Sequence, residues 1–137
     1  SATRCAVRNV RHNGLVDQIG VFTSDLFSSL REGAWFDVVI FNPPYLKTPE
    51  SEQGQGWLER SWAGGPNGRM VLNRFVACLP RYLKTDGKLF IIHPSCGVRT
   101  TIRILKGMGM KVMTIAGKKL FFEKLLVLVA EFDKNSR

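Results

Sequence analysis

Phe36-Asp37-Val38-Val39-Ile40-Phe41-Asn42-Pro43-Pro44-Tyr45 decides how this 137-residue chain is read. Phe36 to Phe41 is apolar except for Asp37, the pattern of a strand buried on both faces of a sheet. Pro43 and Pro44 have a fixed φ and no N–H, so neither can donate to a ladder and the strand must stop before them. The result is a polar side chain and a stiff turn at the carboxyl end of a buried strand. In open α/β sheets that edge is where ligands bind.

Upstream, Ala2, Cys5, Ala6 and Val10 recur at helical spacing, Arg4, Arg8 and Arg11 fill the remaining face, and His12-Asn13-Gly14 supplies a stop. Ile19 to Thr23 reads as a short strand that ends in the polar pair Ser24-Asp25. Downstream, residues 42–67 form a long polar stretch carrying Trp57 and Trp62, and a loop of that length is usually functional or disordered. Leu72, Phe75, Val76, Leu79, Tyr82 and Leu83 mark a helix beginning near Arg69, which Asp86-Gly87 breaks ahead of a buried strand from Lys88 to Ile92. Val98, Ile102 and Leu105 predict a further helix ending near Gly107 and Gly109. Two more strands, Lys111 to Ala116 and Leu125 to Phe132, are joined through Gly117 to Glu123, a connection too short for a helical crossover, so they pair antiparallel. This order predicts an α/β sheet with helices on both faces, ending in an antiparallel strand pair.

With 45% hydrophobic residues the chain can bury one core, and its length predicts a single domain. No run approaches the roughly 20 apolar residues of a membrane span, and the start lacks a signal-peptide pattern, so a soluble cytoplasmic protein without membrane contact is expected. Cys5, Cys78 and Cys96 are in no disulfide or metal spacing; His12 and His93 are too far apart for a metal cluster and read as surface or strand-end residues. Twenty basic against eleven acidic residues leave +9, a charge that attracts an acidic partner such as RNA, a ribosome-associated factor or an acidic protein face. Most of the basic residues are scattered as on solvated helix faces, and nucleic acid stays open as a partner.

The Asn-Pro-Pro-Tyr turn carries the chemistry. The Asn42 side-chain oxygen and the Pro43 carbonyl can each accept one N–H of an NH2 group attached to a planar system, while Pro44 stiffens the turn and Tyr45 adds a flat apolar face. As such a nitrogen attacks a sulfonium methyl group, positive charge develops on it. Two fixed acceptors and an aromatic face stabilise that charge more than the neutral ground state. Asp25 stands at the end of the preceding strand, where a solvated turn aspartate is the plain structural alternative.

Phe36 to Tyr45, with Ser61-Trp62-Ala63-Gly64-Gly65 and Gly68-Arg69, resembles the HemK-related methyltransferases, particularly the archaeal and eukaryotic branch that modifies class I translation termination factors. The resemblance covers nearly the whole chain. It implies the C-terminal part of a Rossmann-like class I methyltransferase sheet, with S-adenosyl-L-methionine as donor. The substrate it implies is the glutamine amide in the Gly-Gly-Gln motif of a class I release factor. Asn42 and Pro43 then match the ligands of the substrate amide, Pro44 its turn and Tyr45 the packing aromatic, with Asn42, Pro43 and Tyr45 as the catalytic set. Asp25 matches the acceptor for the adenine amino group, with the Leu26 amide nearby and Asn42 also on the cofactor side. Trp62, Gly64, Gly65 and Arg69 are assigned to loop shaping and Phe121-Phe122-Glu123 to packing. Relatives in this branch often need a small zinc-ribbon activator, for which Ile19 to Phe22 is the expected docking edge. Asn-Pro-Pro-Tyr is shared with adenine-N6 methyltransferases of RNA and DNA, which remain the enzyme alternative, beside a lysine-methylating relative. An inactive substrate-binding fragment is the non-enzyme alternative.

The sequence departs from the family in lacking a Gly-rich strand-to-helix turn and an acidic residue closing a second strand, the parts that bind methionine and ribose. Residues 1–137 are therefore expected to be the C-terminal part of one methyltransferase domain without its N-terminal cofactor-binding half. On its own such a segment should expose Phe36 to Phe41 as an apolar edge, be poorly stable and be inactive.

Overall fold

The computed structural model describes residues 1–33, 35–49, 56, 58 and 61–133, so Trp57 lies outside the described residues. Two compact units emerge, Ser1–Arg31 and Glu32–Arg137.

The first unit is built on helix α1, Ala2–His12. Ser1 caps it, its hydroxyl accepting from the Arg4 N–H at 3.4 Å. At the other end Gly14 adopts φ +68°, and its N–H and that of Leu15 bond back to the carbonyls of Arg11 and Val10. That is the glycine-dependent helix stop which the Asn13-Gly14 pair predicts. Ile19 to Thr23, expected as a strand, belongs to no sheet among the described residues. An apolar run becomes a strand only where a second strand takes up its N–H and C=O groups, and none in the described sheet does so here. The segment after it folds back on itself, with the Ser28 N–H on the Asp25 carbonyl and the Ser29 N–H on the Ser24 hydroxyl.

The second unit is a four-stranded sheet of order β1-β2-β4-β3, formed by β1 (Phe36–Phe41), β2 (Leu83–Pro94), β3 (Met110–Lys119) and β4 (Lys124–Phe132). β1 and β2 are parallel, with Val39 beside Leu89 and Phe41 beside Ile91. β4 runs antiparallel to both of its neighbours, so the expected terminal antiparallel pair is present. Helix α2 (Met70–Cys78) connects β1 to β2, and helix α3 (Val98–Gly107) connects β2 to β3.

Both helices cover the same face of this sheet. Phe75 of α2 stacks on Phe41 with ring centroids 3.9 Å apart, and Thr101 of α3 bonds to His93, which points to the same side as Ile91. The expectation of helices on both faces is thus corrected for this unit. Its two crossovers step in one direction along the sheet, and connections of a single hand then put their helices on a single side. Leu72, Phe75, Val76, Leu89, Ile91, Leu105 and Leu128 are the buried apolar residues of that layer. The opposite side of β1 is open, with Ile40 at 76% exposure, so β1 is not buried on both faces and forms the apolar sheet edge that the sequence foresaw.

Two boundaries also shift. α2 ends at Cys78 rather than continuing to Leu83, because Pro80 has no N–H to donate and converts the next turn to a 3-10 helix, Leu79–Arg81. Asp86-Gly87, expected to break a helix, instead lies inside β2, where the register slips between Phe36 beside Leu83 and Val38 beside Lys88. A Cβ on Gly87 would stand 2.9 Å from the Phe36 carbonyl oxygen and 2.7 Å from Leu83 Cδ1. Gly87→Ala should therefore destabilise the protein by about 1–3 kcal/mol, read as a lower urea midpoint at unchanged m value.

Candidate active site

Parallel pairing brings the carboxyl ends of β1 and β2 to one edge, and the Asn42-Pro43-Pro44-Tyr45 turn sits there. Asn42 is exposed, Pro43 buried, Pro44 and Tyr45 half-buried. Neither the Asn42 side-chain amide nor the Pro43 carbonyl is engaged by another described residue. The Tyr45 hydroxyl, in contrast, donates to Glu123 Oε1 at 3.2 Å, which anchors the ring. Burial, followed by the Glu123 charge and hydrogen bond, raises the Tyr45 pKa above the ordinary phenol value, so the hydroxyl stays a donor at neutral pH.

The turn is held by the loop that follows it. Leu46 N–H bonds to the Trp62 carbonyl, Gly64 N–H to the Leu46 carbonyl at 2.7 Å, and Thr48 N–H to the Gly65 carbonyl. These bonds lay 46–48 along 62–65 and make the loop a structured bracket at both its ends. The glycines are demanded by contact: Gly68 has φ +70°, and a Cβ on it would collide with the Tyr45 carbonyl oxygen. A Cβ on Gly64 would likewise stand 2.8 Å from the Gly68 backbone. Arg69 completes the bracket, its guanidinium donating to the Gly97 carbonyl at 3.0 Å and to Asn73 Oδ1 at 3.2 Å. Trp62 contributes through its carbonyl. The loop-shaping role assigned to Trp62, Gly64, Gly65 and Arg69 is what these contacts describe.

Tyr45, Lys47, Arg69, His93, Cys96 and Glu123 line a cavity of about 300 Å³ beside the turn. His93 does stand near the end of a strand, yet it is only 2% exposed rather than on the surface. Its Nε2 is 2.8 Å from the Thr101 hydroxyl and its Nδ1 meets the Pro94 carbonyl. Burial depresses the His93 pKa; the Pro94 carbonyl opposes the shift and the Arg69 charge adds to it. Glu123 was assigned to packing with Phe121 and Phe122, but both rings are fully exposed at a hairpin tip and Glu123 holds Tyr45. A tight tip has no layer above it to pack against. The role of Glu123 was hidden because its partner lies 78 residues away. Asp25 and Leu26 belong to the Ser1–Arg31 unit, where Asp25 is exposed and Leu26 takes φ +54°, an uncommon conformation for leucine that turns the chain directly after the carboxylate.

Gly68→Ala should lower the unfolding midpoint and speed amide exchange at Gly64, since the bracket must open to admit the methyl group; unchanged exchange would show that the turn does not depend on it. His93, neutral in the fold and below its usual pKa, contributes fully above about pH 6.5 and loses that contribution as pH falls through the window beneath it. The urea midpoint should accordingly drop between pH 7.5 and pH 5, and a His93→Gln variant should drop less.

No protein-family model matches the chain. It is 41% identical over 130 residues to a protein of Methanocaldococcus jannaschii provisionally named a protein N5-glutamine methyltransferase, covering 94% of this chain and 64% of that one. It is 32% identical over 137 residues to human methyltransferase HEMK2, covering 98% of this chain and 62% of the relative. The chain therefore spans less than two thirds of the length of these curated relatives, and it is their C-terminal part that it matches. Among solved structures, the Mtq2–Trm112 complex of E. cuniculi, responsible for methylation of the eRF1 termination factor, superposes with a TM-score of 0.64 at 24% identity, over 91% of this chain and 68% of that one. No described helix is long and apolar enough to cross a membrane. Identity running along almost all of its length, and a sheet that superposes on a class I methyltransferase, align this chain with the C-terminal part of the HemK-related methyltransferase family.

Proposed function

We propose that these residues are the acceptor-binding part of an S-adenosylmethionine-dependent methyltransferase whose substrate is the glutamine side-chain amide of a Gly-Gly-Gln motif in a class I translation termination factor. The observation that carries the reading is the pair of acceptors, Asn42 and Pro43, that no other described residue engages at the end of β1 beside the anchored ring of Tyr45. S-adenosylmethionine supplies a methyl group made electrophilic by its sulfonium. An amide nitrogen is a weak nucleophile because its lone pair is delocalised into the carbonyl. Asn42 Oδ1 and the Pro43 carbonyl bind its two N–H groups, fix its plane and accept the growing positive charge as the N–C bond forms and the C–S bond breaks. The Tyr45 ring lies against the planar group, and the amide then gives up a proton to return to neutrality.

The residues present fit the adenosyl end of the cofactor. Asp25 carries an exposed carboxylate and is followed directly by the Leu26 N–H, group types complementary to an adenine amino group and ring nitrogen. The methionine and ribose contacts are assigned to a further N-terminal region, with which residues 1–137 form one methyltransferase domain. A small activator is proposed as a partner, following the complex of the E. cuniculi protein with Trm112. Action on a translation factor implies a cytoplasmic setting.

The net charge of +9 favours one competing substrate, an adenine of RNA or DNA, whose exocyclic NH2 meets Asn42, Pro43 and Tyr45 with the same chemistry. Salt separates the two readings: methylation of nucleic acid should fall steeply with ionic strength, and methylation of a peptide much less. Asn42→Ala in the complete enzyme should reduce turnover about 100-fold, by analogy with loss of one fixed hydrogen-bond partner of a developing charge. The readout is a mass gain of about 14 daltons on the glutamine of a Gly-Gly-Gln substrate, the net change when CH3 replaces H on the amide nitrogen. Unchanged turnover would remove Asn42 from the mechanism.

A further inference from the structure

The β3–β4 hairpin ends in an exposed aromatic knob. Phe121 and Phe122 are fully exposed, with ring centroids 6.4 Å apart and planes tilted by 44°, and Leu120 widens the apolar surface. Two bare phenyl rings at a tip add nothing to the core and cost solvation. The register directly beneath them adds a second cost, because it sets Lys119 opposite Lys124, both exposed. Like charges facing each other across a ladder are unfavourable. Lys118 adds a third cation, while Glu123, the only carboxylate between residues 118 and 124, is occupied by the Tyr45 hydroxyl.

These unfavourable features share one place, and that place adjoins the acceptor turn. Glu123 directly follows Phe122, bonds to Tyr45 and lines the same 300 Å³ cavity as Tyr45. The backbone fixes the connection from the other side, the Ser95 N–H meeting the Lys124 carbonyl at 2.7 Å. A macromolecule that delivers a side chain to Asn42 and Tyr45 has its neighbouring surface against the tip.

We propose that Leu120, Phe121 and Phe122, with the surrounding Lys118, Lys119 and Lys124, dock the protein substrate itself. The rings enter an apolar depression on its surface, and an acidic rim around that depression relieves the lysine pair. This rests on the methyltransferase reading above and adds to it a substrate contact outside the reacting group. Aromatic side chains in this setting are the residues that dominate interface affinity, and complementary charge around them favours encounter. The tip would let a site whose chemistry suits any planar NH2 select one protein.

The test compares the complete methyltransferase with its Phe121→Ala/Phe122→Ala double variant on an intact release factor and on a short Gly-Gly-Gln peptide. The KM for the intact factor should rise about 10-fold or more. Both kcat values, the KM for the peptide and the melting temperature should stay as they were. A Lys118→Glu/Lys119→Glu variant should also raise the KM for the factor and flatten its salt dependence. An unchanged KM for the factor overturns the docking role, as does an equal rise for the peptide or a loss confined to RNA binding. If the unsubstituted enzyme methylates neither substrate, the methyltransferase reading fails instead. Calorimetric binding of the intact factor to both forms then decides the docking role separately: weaker binding by the double variant supports it, and equal binding overturns it.

Discussion

The parallel pairing of β1 with β2 is the constraint on which the acceptor edge depends. It places Phe41 beside Ile91, so that the chain leaves β1 at Asn42 just where β2 approaches His93 and Pro94. Backbone hydrogen bonds in a parallel ladder are slanted and individually a little weaker than antiparallel ones, so the register needs help from side chains. Phe75 supplies some of it by stacking on Phe41, which fastens α2 to the last residue of β1. Gly87 allows the slip that brings Lys88 opposite Val38. A register error of one residue would turn every β1 side chain to the other face and carry the two prolines out of place.

From that edge the organisation proceeds by backbone contact more than by side-chain packing. Gly68 lets the 62–68 segment press against the Tyr45 carbonyl and Gly64 lets it fold against the Gly68 backbone, both closer than a Cβ would permit, while the Gly64 N–H bonds to the Leu46 carbonyl. Arg69 then ties the same segment to the start of α3. Rigid support of this kind matters because the proposed chemistry has no strong acid or base. Its advantage comes from holding a weak nucleophile in line, and small displacements of a positioned group are expensive in rate. The partly desolvated Arg69 guanidinium and the buried His93 serve as struts, with their polar atoms committed to Gly97, Asn73, Thr101 and Pro94.

What the sequence made legible follows the range of the interactions involved. Asn13-Gly14 acts within a few residues, and the helix it ends was readable from its apolar spacing and that stop, whereas the Ser1 cap was not read. Phe36 to Phe41 was readable because a β-rich apolar run stopped by two prolines has few other solutions. Ile19 to Thr23 had the composition of a strand but needed a neighbour, and composition does not report pairing. The opening of β2 was missed because Asp86-Gly87 looks like a break, and only the facing Phe36 carbonyl shows why glycine is there. At the site, Asn42, Pro43, Pro44 and Tyr45 could be named together since they are contiguous. Glu123 could not, because the bond that gives it meaning spans most of the unit.

The acceptor turn also limits what it can itself decide. Two carbonyl-type acceptors and an aromatic face would bind the NH2 of a glutamine amide and the NH2 of adenine through the same atoms, so on the proposed reading the free-energy difference between those substrates at Asn42 and Pro43 is small. Selectivity must therefore come from contacts that only one substrate can make. Around this edge the structure has two regions able to provide them: the cavity bounded by Lys47, Arg69 and Glu123, and the hairpin tip beyond it. Among the groups that line the cavity, Arg69, His93 and Glu123 are held by hydrogen bonds. The tip reaches outward, bears the exposed rings and lysines, and is joined to Tyr45 through one hydrogen bond. On the proposed reading chemistry and recognition are separable in this fold, the first assigned to the end of β1 and the second to the end of β3, with Glu123 joined to both through its bond to Tyr45.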